Sequence, residues 1–537
     1  MTGYTGTLSG TAVLNISPNV TGTHIILFAG TVTWTGALNI NANHTSAVIN
    51  FTSAGKILSR DFTAGSIGNG KIVQQDDFAP QSTSNKPSLL FTTPTSPWDM
   101  NGFKIIGNAT YRYMIGENTR GLQAVLTLNG GAAGASTQFE YIDFRDILLN
   151  NGGSDLDLSA ITGLSGDCQG NGMSGGGTLT FTTSAAQTWD GTAGNYSDNT
   201  KWTSRSPLPQ DDVIFSNFGG AGRTLNYDKR AAGRSVDFSG LTSAANKPTF
   251  SASAGATAFN WYGNLNLAST TYLTFSFANF IMNFEGRSNS SLTCAGQDLG
   301  NFVIAGAGAT LQAQDAVTAS VSLAVASGAF DTQGYSSTVG AWGNGSGVEK
   351  EYIGSGAIII SGATLNEFNI NSASMTWSHT GPITVTYTGA TDRNFYFGTV
   401  AASRTMANNI TIAGGGAGII TFQVSTSVTL NGTFKITGGA LTAKFVSGTT
   451  VNLADGTGFG NGTNLITLAT TAAGAVTFNK TGGGTVQYDY IDITNINATP
   501  ADTFFYGANG VLHSGTGWTA GLAPSLGGFL STMKGIW

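Results

Sequence analysis

Strand-period alternation, interrupted by glycine and asparagine corners, constrains this chain more than any other feature. In Ile383-Thr384-Val385-Thr386-Tyr387-Thr388 apolar and hydroxyl side chains alternate strictly. On an extended backbone that order sends one set inward and the other to solvent. Shorter runs of the same kind recur at 38–40, 48–51, 126–128, 179–181, 410–412, 428–430 and 434–436. Corners such as Asn129-Gly130, Asn344-Gly345, Asn431-Gly432 and Asn461-Gly462 separate such runs, and both residue types accept tight backbone turns. Almost no segment keeps helical periodicity over three turns, so the chain is expected to be all-β, with many short strands.

Two architectures satisfy that pattern: tandem antiparallel β-sandwiches, and a solenoid in which each coil stacks on the one before. Only 52 of 537 residues are charged, 23 basic and 29 acidic, and the 10% charged content falls well below the roughly 25% of ordinary domains. Thr, Ser and Asn must therefore cover the surface, while 76 glycines supply corners and 11 prolines leave ladders intact. Two-residue hairpin signals flanked by matched strands are few. We therefore expect an elongated right-handed parallel β-helix or β-solenoid with coils of roughly 20 to 30 residues, the tandem sandwich being the alternative. Disorder is excluded by the 40% hydrophobic content, with 31 Phe, 15 Tyr and 9 Trp.

A long internal repeat divides the chain. Residues 138–147, QFEYIDFRDI, align without gaps on 487–496, QYDYIDITNI, and the clear mismatch is Arg145 against Thr494, with Asp146 against Asn495 the next weakest pair. Each copy closes a strand-rich stretch and precedes a polar, glycine-containing segment. The expected domains are a β-rich module at 1–176, a longer solenoid module at 177–520 that opens with a Trp-rich cap, and an apolar tail at 521–537. The tail carries Phe529, Leu530, Met533 and Trp537 with almost no charge, and these four are the candidates for docking on another subunit. The rival reading makes the tail a cap on the chain's own last coil.

Glycosidase action needs two carboxyl groups about 5 to 10 Å apart. Glu140 with Asp143, and Asp489 with Asp492, are three residues apart and fall on opposite faces of a continuous strand, so turn or ladder roles are expected and no catalytic residue is assigned. A pair assembled from different coils or subunits stays open. Asp155 and Asp157 share a face if extended, but two carboxylates are too few to define a calcium site. His24, His44, His379 and His513 are scattered and match no metal or triad spacing. Cys168 and Cys294 are read as two unpaired thiols. No metal and no cofactor is expected. A net charge of −6 gives no footprint for nucleic acid or an anionic membrane. Aromatic faces stack on sugars, which makes Trp261, Tyr262 and Tyr396 the glycan-binding candidates; core packing is the rival reading for all three.

Two resemblances add to this. The segment Trp189-Asp190-Gly191-Thr192-Ala193-Gly194-Asn195-Tyr196, then Trp202 and 207–215, PLPQDDVIF, resembles the opening of modules in bacterial surface adhesins and autotransporter passengers, where it leads into a β-helix. Capping of an open hydrophobic core by the tryptophans is the physical alternative. A second series, 299–304, 321–325, 328–335 and 357–362, closing with 490–492 and Gly515-Thr516-Gly517-Trp518, looks like the β-helical structural proteins of tailed bacteriophages over residues 290–520. That resemblance implies a virion fibre or spike with a role in particle architecture and host adsorption. It also implies homotrimerisation, contacts with other virion proteins and a host surface glycan as a possible ligand, without membrane insertion. The amino terminus, Met1-Thr2-Gly3-Tyr4, shows no signal-peptide features, which fits a protein made in a host cytoplasm and carried out on a particle. A polysaccharide depolymerase tailspike and a cellular surface adhesin are the alternatives.

Overall fold

A computed structural model describes residues 120–128 and 139–523, apart from 221, 230, 253–257, 277–280, 345–349, 362–365, 371–374, 388–390, 399–403, 415–417, 425, 439–440 and 460–463. Ahead of these it describes Arg112, the strands within the first 117 residues and the interior of Met114–Glu117. The fold is all-β, a parallel β-solenoid of about 13 turns. Every ladder between described strands is parallel. The antiparallel contacts are two isolated bridges, Trp189 with Trp202 and Gly507 with Gly521. Tandem sandwiches, which are built from antiparallel ladders, are therefore set aside.

The chain packs as two compact units. One comprises residues 1–315, 326–329 and 346–349; the other comprises 316–325, 330–345 and 350–537. The position expected for a module boundary, 176/177, lies inside the first unit. The ladders do change close to it: Leu179–Thr180 pairs with Leu156–Asp157, whereas Ala186–Thr188 pairs with Asp212–Ser216.

In the first unit a coil supplies three strands in turn, as in Asp212–Ser216, Thr224–Tyr227 and Ala231–Gly233. Val213 stands in register with Val236, 23 residues on, and Val236 with Leu265, 29 residues on. Stacking puts like on like. The Phe215 and Phe238 rings lie 4.2 Å apart and nearly parallel, and Phe250 stacks on Phe275 at 5.8 Å. Trp189 and Trp202, in edge-to-face contact at 4.9 Å, cover this aromatic column together with Tyr196. Their indole nitrogens donate to the Thr192 and Tyr196 carbonyls. The Trp-rich segment is thus the first coil of that column.

In the second unit the alternating run 383–387 forms a strand whose odd-numbered residues are buried and even-numbered ones are not. Ile358, Ile383, Ile410 and Phe434 form one buried column; Ile360, Val385, Ile412 and Ile436 form a second. Each such side chain contributes about 1.5–3 kcal/mol relative to exposure. Thr384, Thr411 and Lys435 form the row facing out between them.

The ten-residue repeat is one coil bent at two single-residue corners. Phe139–Glu140, Ile142–Arg145 and Ile147–Asn150 are separated by Tyr141 at φ 53° and Asp146 at φ 54°. Val486–Asp489, Ile491–Ile493 and Ile496–Thr499 are separated by Tyr490 at φ 51° and Asn495 at φ 61°. Left-handed backbone disfavours side chains other than glycine, with Asp and Asn the mildest exceptions, so the Asp/Asn corner is the easier of the two.

Candidate functional site

Solenoid walls place outward side chains in rows and bury inward ones, and that sorting decides which sequence candidates are accessible. Trp261 and Tyr262 are both fully buried. The Trp261 ring stacks on Phe302 at 6.0 Å, and Tyr262 packs with Cys168 and Ala231. Neither ring has a free face for a sugar, which corrects their reading as glycan contacts: Trp261 ends the strand Ala258–Trp261 inside the core, and Tyr262 just past it is buried as well. Tyr396 differs. Its neighbours Phe395 and Phe397 point inward, while Tyr396 is half-buried in the outward row, in register with Asn369 and Gln423 on adjacent strands. Phe529, Leu530, Met533 and Trp537 lie outside the described residues.

The carboxylates of the repeat stand on different sides of their coils. Asp143 is buried and accepts from Arg112 Nε at 2.6 Å, while Glu140 sits on the preceding strand, across the Tyr141 corner. Asp489 accepts from the Tyr490 and Asn509 backbone amides, and Asp492 lies 2.9 Å from exposed His513. Asp155 accepts from the Thr178 amide and Asp157 from the Ser159 amide. Among the described residues no three potential metal ligands cluster. Cys168 and Cys294 are free and buried, and burial pushes the Cys168 thiol well above its ordinary range. His379 is enclosed in the second unit. It pairs through Nε2 with the Gly356 carbonyl at 2.8 Å, and Asn408 Nδ2 lies 3.1 Å from its Nδ1. Burial lowers its pKa to about 4, so the ring is neutral near pH 7. His24 lies in the strand His24–Phe28, and His44 lies outside the described residues.

Two polar assemblies in the first unit were not legible as sites. The first is an ionic cluster between the repeat coil and the flank of a later coil. Arg145 Nη1 lies 3.4 Å from Glu285 Oε1, Arg120 Nη2 lies 2.7 Å from the same oxygen, and Arg287 pairs with Asp146 through both Nε and Nη2. Arg145, Asp146 and Glu285 are buried. Gln169, one coil after the repeat, reaches the same flank, donating to the Tyr262 carbonyl and accepting from the Arg287 amide. Burial pushes the Asp146 carboxyl up, against the pull of Arg287 and Arg145. The signal was present in the repeat: Arg145 and Asp146 are where the first copy departs most from the second, and they are the residues that reach across.

The second assembly is a pocket of about 210 Å³. Three cations, Arg112, Arg205 and Lys229, reach its wall from three separate segments, along with Tyr141 and Asn199. Arg112 is fixed by Asp143 and by the carbonyls of Ile142, Gly163 and Leu164. Arg205 Nη2 donates to Asp211 at 2.7 Å and to the Thr183 carbonyl. Lys229 is buried and donates to Ser206 Oγ at 2.9 Å and the Pro207 carbonyl at 2.6 Å. Burial, and then the Arg112 charge, lower its pKa to about 8. A pocket with this lining favours a small, negatively charged occupant.

Compared with known proteins, the chain matches no family, no curated sequence and no solved structure.

Proposed function

We propose that the chain is a structural and adhesive protein of a bacteriophage particle, a tail fibre or spike-like appendage that works as a homotrimer attached to other virion proteins. The supporting observation is the like-on-like stacking along the described ladders of each unit, with outward rows that carry mostly hydroxyl and amide groups. Such a body is stiffened by its buried columns and presents a chemically uniform surface suited to lateral self-association and to sugars. The row of Asn369, Tyr396 and Gln423 offers one ring and two amides to a host glycan.

Immunogold labelling with antibody raised against this chain tests the assignment. Label on the tail or an appendage of purified particles is expected, and particles without label overturn it. Mass measurement in solution tests the assembly, because a sole 55.1 kDa species is incompatible with a trimer. Shortened glycan after incubation with capsule or lipopolysaccharide would move the reading to a depolymerase.

A further inference from the structure

We propose that the pocket walled by Arg112, Arg205 and Lys229 is a binding site for a small oxyanion, the carboxylate or phosphate of an acidic ligand. The inference stands independently of where the protein is assembled. It rests on what the lining groups have already used.

Asn199, Arg205 and Lys229 at the wall keep N–H donors that nothing among the described residues accepts. Asn199 Oδ1 accepts from the Ser206 amide at 2.8 Å, and its Nδ2 has no partner among the described residues. Ser206 Oγ donates to the Tyr196 carbonyl and accepts from Lys229. Arg205 Nε is buried without a partner, and Arg205 Nη1 makes no hydrogen bond among the described residues. Lys229 spends two of its three N–H groups on neutral oxygens, and no carboxylate among the described residues lies at ion-pair distance from it. A buried polar group without a partner is unfavourable by about 1–3 kcal/mol, a cost that falls on Arg205 Nε, and the open groups share one function. They are donors, carried by one amide and two cations.

The neighbouring carboxylates do not fill this role. Asp143 is held by Arg112; Asp211 accepts from Arg205 and the Leu208 and Ala185 amides; Asp228 accepts from Ser197 through both oxygens. None of the three is a lining residue. They moderate the local charge, while the open donors give the site its direction. A carboxylate or phosphate offers two or more oxygens and can accept from a guanidinium N–H and an ammonium at once, and charged hydrogen bonds of that kind are among the strongest. The volume admits such a group with a small body behind it, which would include the acidic residue of a surface polysaccharide as well as free phosphate.

Calorimetric titration of the full chain with inorganic phosphate, and separately with glucuronate, at constant ionic strength tests this. Saturable binding is expected, weakened at least tenfold, about 1.4 kcal/mol, by Lys229→Met and by Asn199→Asp. The second variant is isosteric, sits at an exposed position, retains the acceptor for the Ser206 amide and places a negative charge at the wall. Lys435→Met, which removes a charge from an exposed outward row, should leave binding unchanged. Glucuronate displacing phosphate would assign the site to a sugar carboxylate, and phosphate binding alone would assign it to the inorganic ion. Absence of binding by both, or binding that Asn199→Asp and Lys229→Met leave intact, would overturn the proposal.

Discussion

Removing the Glu285 carboxylate tests whether the flank contact holds the repeat coil in place. Both Glu285 oxygens lie within 3.5 Å of Arg145 Nη1, and Arg120 holds one of them at 2.7 Å. In Glu285→Ala the buried Arg145 guanidinium keeps Asp146 as its nearest carboxylate, at 4.0 Å. Taking one partner from a buried ion pair typically destabilises by 3–5 kcal/mol; because Asp146 remains, about 3 kcal/mol is expected here. Arg145→Thr installs the residue found at the equivalent place in the second repeat copy and leaves Glu285 with Arg120, so its effect is expected to be smaller, about 1–2 kcal/mol. The double variant leaves neither of the two charges behind. It should be less destabilised than the two single changes added together, by about 1 kcal/mol or more. Hydrogen exchange resolved to residues 139–150 and 281–293 is the suitable assay, because it reads local opening rather than unfolding of the whole chain. A loss of about 3 kcal/mol corresponds to exchange faster by roughly two orders of magnitude in both segments together. If Glu285→Ala speeds exchange less than about threefold and the double variant is additive, the two coils are not coupled through this cluster.

Three further outcomes follow from buried groups. His379 titrates near 4 when folded, below its ordinary 6.5, so the unfolded chain binds the extra proton between these values. Stability should therefore fall as pH drops from about 6.5 to 4, by up to about 3 kcal/mol, and His379→Gln should flatten that slope in urea titrations. Lys229 titrates near 8 when folded, below 10.5; here too the unfolded chain holds more protons, so stability should rise between about pH 8 and 10.5, by up to about 3 kcal/mol, and Lys229→Met should abolish the rise. Ile412→Ala opens a gap in a buried column and should destabilise the second unit by about 2–5 kcal/mol, whereas Thr411→Ala, one residue away in the outward row, should stay within about 0.5 kcal/mol; equal losses would contradict the assigned alternation.

Much of this fold could be read along the chain because strand geometry is local. The alternation at 383–387 became the alternation of buried and outward residues in that strand, and the repeat at 138–147 and 487–496 became two coils with the same pair of left-handed corners. What could not be read is which coil lies beside which. Trp261 and Tyr262 stood out as an aromatic cluster, yet a surface aromatic and a core aromatic look alike until the neighbouring strands are placed. The oxyanion pocket draws Arg112, Asn199, Arg205 and Lys229 from segments up to 117 positions apart, and no periodicity links them. The mismatch of Arg145 with Thr494 was the one local trace of a distant contact.

The ladders also set an order in time. Nearly every strand finds its partner within about one coil of chain, as Val213 finds Val236 and Ile383 finds Ile410, so a growing polypeptide can wind each turn onto the last as it leaves the ribosome. The flank cluster cannot form that way. Arg145 must wait for Glu285, 140 residues later, which at about 5–20 residues per second is a delay of roughly 7 to 28 seconds. During that interval the repeat coil holds Arg145 and Asp146 without Glu285 and Arg287, and closure of the cluster fixes the repeat coil to the later one.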